Sequence, residues 1–104
     1  MSDIRMVNRH VVIDAETAAA FFPGAAHLNI VFYANGNTLM MADVADELFK
    51  GLHKTSMQML KDKNLKGDKS MSLEEILIDH DLDDSDRALR HKADIAMKIL
   101  TIYF

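Results

Sequence analysis

The sequence predicts an α+β domain: a small, mostly antiparallel sheet built on a β-hairpin at about residues 28–42, helices packed on one face, and a candidate C-terminal strand. Three observations carry this. Leu28, Ile30 and Phe32 alternate with Asn29, Val31 and Tyr33, the period of a strand with one apolar face. Asn35-Gly36 follows, the dipeptide that most cheaply supplies the two positive φ angles of a type I′ turn. Strand-like and helix-like segments are then segregated, without the regular alternation of a parallel sheet.

The unit 28–60 organises the rest. With Asn35-Gly36 as a two-residue loop, Phe32 faces Leu39 and Ile30 faces Met41, so one side of the hairpin is wholly apolar. A one-residue slip would destroy that side. The other side carries Asn29, Val31, Tyr33, Thr38 and Met40, too apolar for a plain solvent face, so a chain segment or a partner is expected over it. Asp43 is the predicted cap of a long amphipathic helix with Val44, Ala45, Leu48, Phe49, Leu52, Met59 and Leu60 on one face. Met57 falls off that stripe, as an exposed methionine or a contact beyond the fold.

In chain order, residues 6–13 read as a first strand with β-branched residues at its end. Asp14 caps a helix over 15–22, closed by Pro23-Gly24 and anchored by Phe21 and Phe22. After the long helix, 64–70 is a polar loop. Ser72-Leu73-Glu74-Glu75 matches the S-x-x-E capping box and opens a short helix with Leu73, Ile76 and Leu77 inward. Residues 81–85 break it. Leu89, Ala93, Ala96 and Leu100 recur at helical spacing, predicting a last helix to about Lys98, followed by an extended tail. The expected core is Val11, Ile13, Leu28, Ile30, Phe32, Leu39, Met41, Leu48, Leu52, Ile76, Leu77 and Leu89.

A chain of 104 residues is expected to be a single domain, 1–104. No apolar run approaches the ~20 residues of a membrane span, and no secretory signal is legible. With no cysteine, disulfides, thiolate metal sites and cysteine nucleophiles are excluded, and a cytoplasmic location is the default. A net charge of −4 argues against a general nucleic-acid binder, whose affinity comes from neutralising phosphates. A β-ribbon DNA reader would also present basic side chains, whereas residues 28–42 contain no Lys or Arg.

The chemical motifs fall short of sites. Asp79, Asp81 and Asp83 occupy positions 1, 3 and 5 of a calcium loop, but Asp84 stands where glycine belongs and Arg90 where the closing glutamate belongs. Metal binding is therefore not expected, these three being weak candidates, and acids before a helix N-terminus explain the run. The five histidines show no metal-helix spacing. Gly67-Asp68-Lys69-Ser70, among Lys61, Lys63, Lys66 and Lys69, lacks the first glycine of a phosphate loop. No catalytic motif is legible, whether a nucleophile elbow or a dinucleotide fingerprint, and no cofactor is implied. Whether the chain is an enzyme stays open.

The leading functional expectation is a non-enzymatic interaction or accessory module, self-associating as a dimer or binding another protein. Val31, Tyr33, Met40, Tyr103 and Phe104 are its candidate contacts. The alternative is a small-ligand-binding protein or enzyme with a site between sheet and helices, drawing on His27, Tyr33 and the acidic run. Nucleic-acid binding through the lysine loop ranks last.

Overall fold

In a computed structural model, which describes residues 3–104, the chain is an α+β fold whose strands form two antiparallel sheets of five. The hairpin at its centre is β3 (His27–Tyr33) with β4 (Thr38–Asp43), and its register pairs Phe32 with Leu39 and Ile30 with Met41, as the alternation requires. The turn differs from expectation. It is a four-residue loop, 34–37, with positive φ at Gly36 (91°) and Asn37 (48°) rather than at Asn35 and Gly36.

The type I′ geometry appears elsewhere. Residues 6–13 are not one strand but the hairpin β1 (Ile4–Val7) and β2 (His10–Ile13), joined at Asn8 (φ 49°) and Arg9 (φ 63°). Asn tolerates that backbone, while Arg holds it at a cost that the fold must offset. Asp86 Oδ1 accepts the Asn8 N–H at 2.8 Å, and the Arg9 Nε–H donates to Asp84 Oδ2 at 3.0 Å.

Two predicted helices are corrected. The long helix after Asp43 shrinks to α2 (Glu47–Leu52), capped by Asp46, whose Oδ1 accepts the Phe49 N–H. Asp43 accepts the Ala45 N–H in a turn instead. The chain then becomes β5 (Ser56–Met59) and β6 (Lys61–Asp62). The last helix is replaced by β8 (Arg87–Ala88), β9 (Arg90–Asp94) and, after a turn at 95–98, β10 (Ile99–Tyr103). The expected C-terminal strand is thus present, lying between β4 and β9.

The sheets run β6-β7-β2-β1-β8 and β5-β3-β4-β10-β9, with β7 spanning Lys69–Ser72. They are joined at both edges. β5 and β6 are one run of chain bent at Leu60, pairing with β3 in one sheet and β7 in the other. β8 and β9, bent at Leu89, do the same with β1 and β10. The result is a flattened antiparallel barrel, and bent strands that switch sheets are the usual way to build such corners.

The core fills the space between the sheets: Ile4, Met6, Val11, Ile13 and Met71 from one, Leu28, Ile30, Leu39, Met41, Leu100 and Ile102 from the other. Helix α1 (Ala15–Phe21) closes the end where β2 stops and β3 starts, adding Ala18, Phe21 and the adjacent Phe22. Asp14 caps it as expected, accepting the Thr17 N–H at 3.1 Å. Helix α3 (Glu74–Asp79), with Leu77, closes the opposite end. The capping box is incomplete: Leu73 stands at the N-cap, and Ser72 Oγ accepts the Glu74 N–H at 3.3 Å. Helix α2 lies outside, where Phe49 covers Val31 and Ala42 with Met40 and Ile99 around it. Leu48 and Leu52, expected in the core, are instead 60% and 68% exposed. Among the described residues no helix is long and apolar enough to cross a membrane.

Candidate functional site

The barrel is sealed unevenly. On one side of the β5–β6 bend the ladder joins Asp62 to Lys69 and Lys61 to Ser70, and there it stops. Beyond it β5 and β7 diverge, and a cleft of about 600 Å³ opens between them. Its floor is Ile30 and Phe32 from the inner face of β3. Ser56, Met57 and Gln58 form one wall, and Ser72 with the α3 residues Glu74, Glu75, Ile76 and Asp79 forms the other. His80, just past α3, stacks on Phe32 with ring centroids 4.2 Å apart.

Backbone register decides what β5 presents to this gap. Leu60 donates its N–H to Ala26 O at 2.9 Å, which makes Gln58–Leu28 and Ser56–Ile30 the hydrogen-bonded pairs with β3. The N–H and C=O groups of Met57 and Met59 therefore point away from β3, toward the gap. The Met57 and Met59 side chains are exposed.

Electrostatically the cleft is one-signed. Among the described residues, Glu74, Glu75 and Asp79 line it and no Lys or Arg does. Glu74 lies 3.6 Å from Arg9, an exposed pair of little energetic weight.

The structure separates the residues that the sequence named for a site between sheet and helices. Asp79 and His80 converge on this cleft, whereas His27 and Tyr33 lie away from it. Tyr33 hydrogen-bonds His53 on the outer side of the second sheet, and His53 also packs on Phe49. His10 and His91 each donate Nδ1–H to a carbonyl two residues back, Asn8 and Leu89. The cleft residues Ser56, Gln58, Glu74 and Glu75 have no sequence signal, since their meeting depends on where one ladder ends. Met57, off the helical stripe, is the single residue whose position hinted at it.

The acidic run has structural work. Asp84 and Asp86 hold the Asn8-Arg9 turn, and Asp83 accepts the Ser85 N–H and hydroxyl, each at 3.0 Å, with Arg87 alongside. The Ser85 backbone N–H, its hydroxyl and then the Arg87 charge hold the Asp83 carboxyl below its ordinary value. Among the described residues no three His, Cys, Asp or Glu side chains are grouped to hold a metal ion, and Asp79, Asp81 and Asp83 are not brought together as one. In the lysine loop Lys69 pairs with Asp62, and Asn64 Oδ1 accepts the N–H groups of Lys66 and Asp68.

Of the interface candidates, Val31 is only 7% exposed and Met40 half-buried, both beneath Phe49. The hairpin's outer face is thus covered in part from within the chain. Tyr33 is exposed. Tyr103 is half-buried under the Arg90 guanidinium, 5.8 Å from its ring centroid, and Phe104 packs against the core beside Phe32. The chain matches no protein-family model, no curated protein and no solved structure.

Proposed function

We propose that this chain is a non-enzymatic protein-interaction module that self-associates through the outer surface of α2. One observation carries the reading: Leu48 and Leu52 stand in solvent on one side of a helix whose Phe49 is pinned to the sheet. Residues four apart share a helix side, so the two leucines form one apolar strip on a rigid support. Burying each contributes roughly 1.5–3 kcal/mol. A second copy is the simplest occupant, because twofold pairing lets one strip cover another. Val31 and Met40 lie under the helix, so contact passes to the helix itself, with Tyr33 beside it.

The test is sedimentation velocity over a wide concentration range, for the natural chain and for a Leu48→Asp, Leu52→Asp variant. A dimer that the double substitution converts to monomer, with unchanged circular dichroism, supports the reading. A natural chain that stays monomeric at high concentration sinks it.

The second reading is a small-ligand-binding protein or enzyme, favoured by the convergence of Asp79 and His80 in the seam cleft. Saturable melting shifts with small cationic compounds, lost on Asp79→Asn, would support it.

A further inference from the structure

We infer that the open seam between β5 and β7 is a docking groove for an extended, basic peptide segment of another protein, which adds to the outer edge of β5 as a further strand. The inference rests on reading the chain as an interaction module, but on different residues from those of self-association.

Three features converge on that occupant. The β6–β7 ladder stops at Lys61↔Ser70, while the backbone groups of Met57 and Met59 aim at the gap. A strand edge in that state is a template for an added strand. Four residues of β5 offer about 13 Å of edge, enough for about four residues of a partner. The groove below is apolar on its floor, at Ile30 and Phe32, and acidic on its far wall, at Glu74, Glu75 and Asp79.

An added strand has two faces, with side chains alternating between them. Apolar residues at every second position would lie over Ile30 and Phe32, and the residues between them would point out of the groove, where long Lys or Arg side chains can bend over the strand's far edge to the carboxylates of α3. A segment alternating Lys or Arg with Val or Ile satisfies both. An acidic segment would meet three like charges, and an α-helix would leave the edge of β5 unmatched.

The experiment uses the full chain carrying Leu48→Asp and Leu52→Asp, so that self-association does not enter. The probe is a fluorescein-labelled acetyl-Lys-Val-Lys-Val-Lys-Val amide, followed by anisotropy. Three comparisons accompany it: the same peptide with Glu for Lys, the same peptide N-methylated at alternate residues, and lysine amide as a competitor. Backbone amide exchange is read in parallel.

Saturable binding of the basic peptide is expected, weakened at least about tenfold by Glu75→Lys with Asp79→Lys, because like charges then face it. Amide exchange should slow at Met57 and Met59, and not at Ser56 and Gln58, which already bond to β3. Equal binding of the acidic or N-methylated peptide would overturn the inference. So would slowed exchange confined to other strands, or full displacement by lysine amide at peptide concentrations, which would favour the small-ligand reading. A natural chain that never dimerises yet binds the peptide would remove the self-association reading and leave this one standing.

Discussion

Leu60 and Leu89 hold equivalent places at opposite edges of the molecule: each is the lone residue between two strands, each is 5% exposed, and each donates its backbone N–H across 2.9 Å, to Ala26 O and Ile4 O. A bent strand passing between sheets needs an inward side chain at the bend and a partner for its N–H, and here each bond extends the preceding ladder, β5–β3 or β8–β1, by one residue. Leucine at both corners supplies the first, and a neighbouring carbonyl supplies the second.

Truncating either corner leaves a void where two sheets meet. Leu60→Ala and Leu89→Ala are each expected to cost about 3 kcal/mol, within the range for buried leucines, measured by urea unfolding. A loss below ~1 kcal/mol at either would show that the corner collapses around the gap.

Acid should weaken the fold partly through Asp14. Burial raises its pKa, but the Thr17 hydroxyl and the backbone N–H groups of Asp3, Thr17 and Asp14 itself outweigh that and hold it below 3.8. A carboxyl depressed in the folded state binds fewer protons there than when unfolded. Its contribution is complete well above 3.8 and is lost as pH falls through that value to the lower folded one. Asp14→Asn, which retains a capping side chain, should flatten the loss of stability in that window, as followed by urea midpoints against pH. An unchanged slope would assign the acid response to other carboxylates.

Gly67 is the tightest of the four glycines. Its φ is +107°, and a Cβ there would meet the Ala15 Cβ at 3.2 Å. The loop is held against α1 because Asp68 Oδ1 accepts the Ala15 N–H at 2.8 Å. Gly67→Ala is expected to destabilise by about 1–2 kcal/mol, since it forces a strained backbone and pushes loop from helix. Gly51→Ala makes no close contact and sits in α2, so it should be neutral or slightly stabilising.

The acidic run also predicts a contrast. Asp86→Ala removes the acceptor of the Asn8 N–H and should lower the melting temperature by about 2–5 °C. Arg9→Gly loses two exposed ion pairs, to Asp84 and Glu74, yet releases a left-handed arginine, and should leave melting nearly unchanged. A larger loss from Arg9→Gly than from Asp86→Ala would contradict this division of labour.

Local chemistry made part of the fold legible. The register of β3 with β4 follows from alternation, and α1 from Asp14, its alanines and Pro23-Gly24. The last hairpin was hidden because Arg87–Lys98 is rich in good helix formers, and its inward positions after Leu89 are His91 and Ala93, which dilute the period of two. Pairing with β10 overrides that preference. The sequence extends the helix over 43–60 too far because Met59 and Leu60 fall on the stripe of Leu48 and Leu52, although Met59 faces outward from β5 and Leu60 inward at the bend. The cleft was invisible for another reason: it is defined by where a ladder ends between residues far apart in sequence.

The place of β10 between β4 and β9 has a consequence for biosynthesis. When β4 leaves the ribosome, the edge that will bond Leu100 and Ile102 is bare, and about sixty further residues must be made before Tyr103 emerges, about 3–12 s at about 5–20 residues per second. Throughout that interval the nascent hairpin carries Leu39 and Met41 beside an open edge, the form in which a strand recruits a wrong neighbour. Vectorial folding can complete neither sheet early, so the chain depends on closing late and all at once.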